Sequence, residues 1–154
     1  MAVEVKVNIE TVFEVTANLE TAFALFSDVP RSIGHFPDVE NLIDRGDNVF
    51  EWVMKSKGPK GFEHAVRYAC LYTSTESDHS VSWTPIDAVG NAVFSGTWKL
   101  EATAKGTRVH FETQATMLIP APRIMRSAVA PYAEKALRAE IAQYHDNLQK
   151  TLNA

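Results

Sequence analysis

The sequence has one cysteine, Cys70, among its 154 residues, so it cannot close a disulfide within itself. It also lacks long apolar runs, since no stretch approaches the ~20 apolar residues that a membrane-spanning helix needs. The opening segment MAVEVKVNIETVFEV carries a charge every few positions, unlike a secretory signal peptide. These absences predict a soluble protein of a reducing compartment with no integral membrane segment, and we expect it in the cytoplasm.

Positive charge and metal-site motifs are also scarce. Lys and Arg number 15 against 19 Asp and Glu, which gives a formal net charge of −4, whereas nucleic-acid binding favours a basic surface. No glycine-rich phosphate loop or Gly-x-Ser-x-Gly nucleophile motif occurs. The five histidines do not show the spacing of a metal site; they are His35, His64, His79, His110 and His145. We therefore expect no nucleic-acid partner, no metal and no cofactor.

The composition is that of an ordinary globular domain, with 45% hydrophobic and 22% charged residues. A chain of this length buries roughly 70% of the surface that it exposes when unfolded, which is enough for a core without disulfides. No shift in composition marks a boundary, so residues 1–154 are predicted to form a single domain.

The first segment alternates apolar and polar residues from Val3 to Val15. A period of two over so many residues predicts a long strand with one buried and one solvated face. Such a strand is typical of an antiparallel sheet rather than a parallel one.

Two short helices are predicted next. The segment NLETAFALFSD places apolar residues at helical spacing, with Asn18 as the N-cap. Pro30 ends this helix and suits the first turn of a second one, PRSIGHF, which Pro37 closes. His35 lies at the end of the second helix, and we interpret it as a capping or packing residue rather than a catalytic one.

Six further strand patterns follow, and the short turn signals between them predict that successive strands pair as hairpins. The patterns are VENLID, VFEWVMK, FEHAVRYACLYTST, HSVSWTP, AVFSGTWKLEAT and TRVHFETQATML. In most of them the alternation indicates which residues face the core. The strand around Tyr68 stays ambiguous, because both of its faces carry apolar residues.

The last segment, residues 120–152, is rich in helix-forming residues. Pro131 is expected to begin this helix, or to kink it if residues 124–130 are already helical. Its apolar side chains share one face: Ala133, Leu137, Ile141, Tyr144 and Leu148. Small residues concentrate in its first half, which places any cavity there: Ala128, Ala130, Ala133 and Ala136.

The order of these elements limits the possible folds. Seven antiparallel strands with one apolar face need a cover, and the terminal helix is the only large element left. A single helix of about 10–12 Å diameter covers so wide a sheet only if the sheet curls around it. The two short helices can then close one end of the hollow that remains.

The element order, the opening VTANLETAFALFSDVPRSIGHFPDV and the amphipathic last helix resemble a known family. They are similar to the polyketide cyclase/dehydrase and lipid-transport families of the Bet v 1-like (START-type, SRPBCC) superfamily, most recognisably in AFALFSDVPRSIGHFPDVENL. The resemblance covers essentially the whole chain and implies the α+β helix-grip fold: a curved seven-stranded antiparallel sheet around a long C-terminal helix. It does not identify the ligand, because carriers, cyclases, plant allergens and coenzyme Q-binding proteins share this signature.

On this fold the inward side chains would line a ligand-binding cavity. The candidates are Trp52, Tyr68, Trp83, Phe94, Trp98, Phe111, Met117, Ala133, Leu137 and Ile141. The alternative is that they fill the core and bind nothing. An empty pocket of about 300 Å³ would cost around 7 kcal/mol at about 24 cal/mol per Å³, so we expect ligand, water or bulky side chains to occupy it.

Catalysis in the hollow would need inward polar groups. His64 and Tyr68 share one parity of their strand and are the candidates for an acid–base pair. Glu63 and Arg67 share the other parity and are expected to form an ion pair on the wet face. We interpret His64 as a structural histidine and Cys70 as an inert buried thiol, so we assign no catalytic residue.

Sequence and resemblance together predict binding, with transport as an extension, of a hydrophobic or amphipathic small molecule such as a lipid, quinone or polyketide. Arg31, Arg123 and Arg126 are placed near the expected entrance, either as contacts for an anionic group or as ordinary surface charges. One alternative is an aromatase/cyclase-type enzyme that acts on a poly-β-keto substrate in the same cavity. A second is a protein-interaction module. The sequence does not indicate an oligomeric state.

Overall fold

The structure is a computed structural model that describes residues 2–58, 63–87 and 89–154. Seven strands, three helices and two single turns of 3₁₀ helix (Glu76–Asp78 and Arg123–Met125) follow one another along the described chain. In order, they are β1 (Val3–Val15), α1 (Leu19–Ser27), α2 (Val29–Ile33), β2 (Val39–Asp44), β3 (Val49–Met54), β4 (Arg67–Thr75), β5 (Ser80–Pro85), β6 (Ala92–Thr103), β7 (Gly106–Ile119) and α3 (Arg126–Leu152). The predicted helix-grip architecture is confirmed.

The strands form one antiparallel sheet in the order β1-β7-β6-β5-β4-β3-β2. Strands β2 to β7 follow one another as the predicted meander, and β1 adds to its far end by pairing with β7. The β1–β7 register runs from Val3 opposite Ile119 to Val15 opposite Thr107. Apolar residues of β1 at alternate positions are buried, as the period of two predicted: Val3, Val5, Val7, Ile9 and Val15.

Helix α3 begins at Arg126, so Pro131 does not start it; of the two expectations, the one in which the helix is already formed before Pro131 agrees with the structure. Pro131 lies inside the helix, where it has no N–H to donate to the preceding turn. Two contacts hold that first turn in place: Val129 is buried, and Arg126 Nη1 donates to the carbonyl of Glu4 at 3.0 Å. These tertiary contacts offset the hydrogen bond that the proline removes.

Strand β4 begins at Arg67, whereas the predicted strand began at Phe62. Phe62 and residues 59–61 of the predicted turn lie outside the described residues. The side chain of Asn91 binds the backbone at this start. Its Oδ1 accepts from Arg67 N and its Nδ2 donates to Ala65 O, both at 2.9 Å. Asn91 thus satisfies part of the backbone before β4, while Met54 N at the end of β3 donates to Val66 O at 3.0 Å.

Helix α2 is shorter than the predicted Pro30–Phe36 and begins one residue earlier. Asp28 caps it by accepting from Arg31 N at 3.4 Å. His35 follows its end, with Nδ1 2.9 Å from the carbonyl of Arg31 and Nε2 2.8 Å from Oγ1 of Thr151. His35 thus links the end of α2 to helix α3.

Both ends of α3 are fastened to the start of the chain. At its C-terminal end, Ala17 N donates to Leu152 O at 3.0 Å and Thr16 N donates to Asn153 Oδ1 at 2.8 Å. Nearer its middle, Arg138 Nη2 donates to the carbonyl of Asn8 at 3.2 Å. None of the helices in the described ranges is both long and apolar enough to cross a membrane.

His145 is a buried polar residue on the inner face of α3. Its Nδ1 is 3.2 Å from Oγ1 of Thr11, whereas its buried Nε2 has no hydrogen-bond partner within the described residues. Its neighbours are neutral rings, with centroids 4.5 to 5.9 Å away: Phe13, Trp98, Phe111 and Tyr144. Burial lowers the pKa of His145 from 6.5 to about 4, because an apolar site disfavours the imidazolium.

His145 should therefore make stability depend on pH. Between its unfolded and folded pKa values the unfolded chain binds a proton that the folded protein excludes, so stability falls as the pH drops. At about 1.4 kcal/mol per unit, the full effect is on the order of 3 kcal/mol. We expect His145→Leu to flatten the decline in the free energy of unfolding from neutral pH to about pH 4, measured by urea denaturation.

His79→Asn is the matched control, because His79 is only partly buried and its backbone has φ 50°, a left-handed conformation that asparagine also adopts. This control should leave the decline in the free energy of unfolding from neutral pH to about pH 4 as in the wild type. Equal slopes for His145→Leu and the wild type would contradict the assignment.

Candidate functional site

A cavity of about 120 Å³ lies between the inner face of the sheet and helix α3. Strands β3 to β7 supply aromatic and apolar side chains to its wall, and α3 supplies the opposite side. Helices α1 and α2 close one end. Phe26 of α1 packs against Trp98 with centroids 4.4 Å apart, and Phe36 after α2 packs against Trp52 at 5.2 Å.

Two groups of aromatic rings form most of the wall. In the first, Tyr68 is stacked between Trp52 and Phe94, with centroid distances of 5.3 and 4.2 Å. In the second, Phe111 contacts Trp83 at 5.9 Å and Trp98 at 4.6 Å. Together these rings occupy much of the space between sheet and helix, which keeps the cavity small.

The position of Trp83 depends on a glycine in the neighbouring strand. Gly96 of β6 lies opposite Trp83 in the register, and a Cβ added there would stand 2.4 Å from the indole ring and 2.2 Å from the carbonyl of Glu112. A larger residue would push Trp83 into the cavity. Gly96 therefore lets the indole lie close to the sheet.

Most hydroxyl groups in the wall have partners. Trp52 Nε1 donates to Tyr72 Oη at 2.9 Å, and the hydroxyls of Tyr144 and Ser32 are 2.6 Å apart. Thr113 Oγ1 donates to the carbonyl of Ser95 at 2.9 Å. These bonds fix the rings of the wall and satisfy polar groups that would otherwise be costly to bury.

Burial also keeps these groups protonated. It raises the pKa of Tyr68 and Tyr72 well above 10.0, and that of Tyr144 as well. Burial raises the pKa of the Cys70 thiol to about 12. At neutral pH the phenols are therefore hydrogen-bond donors rather than bases, and the thiol is unreactive.

A charged cluster lies at one margin of the cavity. Lys57 follows β3, and its Nζ contacts Asp38 Oδ2 at 2.5 Å and Glu140 Oε2 of α3 at 2.9 Å. The backbones of Lys57 and His64 exchange two hydrogen bonds of 2.8 Å, which brings His64 to the same margin. The cluster joins the β3–β4 connection to α3 beside the cavity.

The two partners in this cluster respond differently to burial. Burial raises the pKa of Glu140, although the ammonium of Lys57 opposes the rise. Burial acts to lower the pKa of Lys57, but its hydrogen bonds with Asp38 and Glu140 outweigh this and raise it. The ammonium of Lys57 thus favours the ionised form of the Glu140 carboxyl against the effect of burial.

The structure places every residue of the predicted cavity in the wall: Trp52, Tyr68, Trp83, Phe94, Trp98, Phe111, Met117, Ala133, Leu137 and Ile141. That they contact a ligand stays a prediction. His64 and Tyr68, the candidates for an acid–base pair, both line the cavity. Sequence analysis missed Lys57, Glu140 and Ser32, because their partners are distant in the chain and no local pattern reveals them.

The predicted ion pair between Glu63 and Arg67 is wrong. Arg67 and Arg45 instead both bind the carboxylate of Glu51, a buried residue on the outer side of β3. The hydrogen bond from Arg67 is the main cause of the lowered pKa of Glu51, and Arg45 adds to it against the effect of burial. The register of β3 and β4 explains why Arg67 pairs with Glu51. Arg67 lies opposite Val53, which is two residues from Glu51 on the neighbouring strand.

The structure changes two further expectations, one about arginines at the cavity entrance and one about the small residues of α3. The described residues that line the cavity do not include Arg31, Arg123 or Arg126, and Arg126 lies instead beside Glu4 of β1. Of the small residues in α3, Ala133 and Ala136 line the cavity, whereas Ala128 is exposed. Within the described ranges no group of three His, Cys, Asp or Glu side chains is arranged to hold a metal.

The sequence matches the family described as polyketide cyclase/dehydrase and lipid transport over residues 3–153. The chain belongs to this family. No curated protein matches it.

Solved structures resemble the fold of this family member at low sequence identity. The di-domain ARO/CYC StfQ from the steffimycin biosynthetic pathway has a TM-score of 0.63 and 17% identity, covering 96% of this chain and 51% of that one. The present chain thus spans about half of StfQ. The Zhui aromatase/cyclase from Streptomyces sp. R1128 has a TM-score of 0.61 and 12% identity, covering 96% and 91%. A protein from Thermus thermophilus has a TM-score of 0.64 and 16% identity, covering 97% and 96%. These likenesses show the fold.

Removing the ammonium of Lys57 should destabilise the protein in a pH-dependent way. In Lys57→Met, the buried carboxyl of Glu140 loses its cation, so its pKa rises further and ionising it in the folded state costs more. Since a carboxyl whose folded pKa is raised loses stability as the pH increases, the loss relative to the wild type should be small near pH 4 and larger near pH 8. Urea denaturation at both pH values measures it.

Lys99→Met serves as the control, because Lys99 is an exposed lysine of β6. We expect it to change stability equally at the two pH values. A Lys57→Met penalty that does not vary with pH would show that Glu140 does not depend on Lys57.

Proposed function

We propose that this protein binds a compact, largely apolar or amphipathic small molecule in the cavity between the sheet and α3. The observation that carries the proposal is the cavity itself, about 120 Å³ lined largely by aromatic and apolar side chains between the sheet and α3. Well-packed cores contain few voids larger than a water molecule. An apolar cavity on the order of 150 Å³ stays dry and takes up benzene, so this one suits a body of about one ring.

The cavity volume also limits which ligand fits. Pockets for drug-sized ligands are about 300–1,000 Å³, several times larger than this one. A lipid or polyketide chain could therefore enter only in part, with its remainder outside the cavity. Family membership supports a small-molecule ligand of this general kind. The cytoplasmic location and the absence of nucleic-acid binding stay predictions from the sequence.

The competing proposal is an aromatase/cyclase-type enzyme. It is supported by the family description and by two wall residues able to exchange protons, His64 and Glu140. The small volume argues against a long poly-β-keto substrate. The enzyme proposal would replace ours if His64→Gln abolished turnover of such a substrate while the dissociation constant stayed unchanged.

Native mass spectrometry of protein purified without detergent tests the binding proposal. We expect a fraction of the protein to carry an added mass that disappears on denaturation, because removing the ligand would return its apolar surface and that of the cavity to water. Protein that is entirely free of ligand, and that also fails to bind added toluene, would contradict the proposal.

Filling the cavity should abolish binding. Ala133 of α3 lines the cavity, so the indole of Ala133→Trp would occupy the space of the ligand. We expect its affinity for toluene, measured by isothermal titration calorimetry, to fall by roughly tenfold or more.

Ala128→Trp is the matched control, because it places the same side chain at an exposed position of the same helix. Its affinity should equal that of the wild type. Unchanged toluene binding in Ala133→Trp would count against this location of the site.

A further inference from the structure

Tyr68 differs from the other polar residues of the cavity wall. Its ring is held between Trp52 and Phe94, within 20° and 22° of parallel to each. Only 6% of the residue is exposed. The two stacked rings therefore fix the direction in which the hydroxyl points.

The hydroxyl of Tyr68 has no assigned partner. The hydroxyls of Tyr72, Tyr144 and Thr113 all take part in hydrogen bonds with neighbouring side chains or carbonyls. None of the hydrogen bonds between residues in the described ranges involves the hydroxyl of Tyr68. This oxygen is not among the fully buried polar atoms that lack a partner in the described ranges, so it is open to the cavity, where a ligand group that accepts its hydrogen bond would gain affinity.

The hydroxyl remains a donor at all physiological pH values. Burial is the main cause of its raised pKa, and the negative charge of Glu140 is among the smaller contributions. A neutral phenol donates more strongly than it accepts, so its natural partner is an oxygen with free lone pairs.

We propose that Tyr68 is a specificity-determining residue whose hydroxyl donates a hydrogen bond to a carbonyl oxygen of the ligand. The ligand class is then a ring-sized apolar body that carries a ketone or similar acceptor. This inference rests on the proposed binding function. Sites that hydrogen-bond a ligand discriminate strongly against analogues that lack the matching group.

A pair of probes with the same shape tests the proposal. Acetophenone and α-methylstyrene differ only in that C=O is replaced by C=CH₂, so the affinity ratio of the two reports the hydrogen bond. Tyr68→Phe keeps the stacked ring and removes the hydroxyl. We expect this variant to lose roughly tenfold in affinity for acetophenone while its affinity for α-methylstyrene is kept, as measured by isothermal titration calorimetry.

Thr84→Val provides the control, because it removes a hydroxyl from an exposed position of β5 that is not among the described residues of the cavity wall. The ratio of its affinities for acetophenone and α-methylstyrene should equal that of the wild type. The infrared carbonyl stretch of bound acetophenone gives a second readout on the wild type alone: a donor lowers its frequency relative to acetophenone in an apolar solvent.

The outcomes separate the two proposals. If both probes bind and Tyr68→Phe leaves their ratio unchanged, or the carbonyl frequency in the wild type matches that in apolar solvent, the role of Tyr68 is overturned and the binding function stands. If neither probe binds the wild type, the binding function fails and the role of Tyr68 fails with it.

Discussion

One helix has to cover the inner face of seven strands, and the rest of the structure follows from this mismatch in width. Strands about 4.8 Å apart make a sheet of roughly 29 Å, whereas a helix with its side chains is about 10–12 Å wide. Curvature of the sheet removes part of the difference. Large rings fill most of what remains, above all Trp52, Trp83 and Trp98. The cavity is the space that these rings leave beside α3.

The cavity can exist only because α3 is held at a fixed distance from the sheet. The hydrogen bonds of Ala17 and Thr16 anchor its C-terminal end, and Arg126 anchors its first turn. Between them, Tyr144 reaches Ser32 of α2, and Lys57 reaches Glu140. A helix fastened at several points along its length cannot settle into the gap, so removing a ligand need not close the cavity.

Much of this arrangement could be predicted from the sequence because it depends on local patterns. The alternation of β1 and the apolar face of α3 determine which side chains point inward, and these determine the aromatic wall. The predictions that failed depend on contacts between distant segments. Asn91 binds the backbone where β4 starts, and Arg126 in the first turn of α3 reaches the carbonyl of Glu4.

The polar contacts of the site could not be predicted from the sequence for the same reason. Lys57 and Glu140 are far apart in the chain, so neither charge indicates the other until the helix lies against the β3–β4 connection. The pairing of Arg67 with Glu51 rather than Glu63 likewise requires the register of β3 and β4. Tyr68 was expected to line the cavity, and the structure adds that its ring is stacked between Trp52 and Phe94.

The arginines of α3 also affect how the molecules behave toward one another at high concentration. β1 is an outer strand of the sheet, and Arg126 and Arg138 occupy the backbone oxygens of Glu4 and Asn8 along it. Carbonyls already engaged by a guanidinium are poor templates for a strand of another molecule. At the opposite border, β2 is short, irregular in register and rich in acidic residues. Both borders are therefore poor places for a strand of another molecule to extend the sheet.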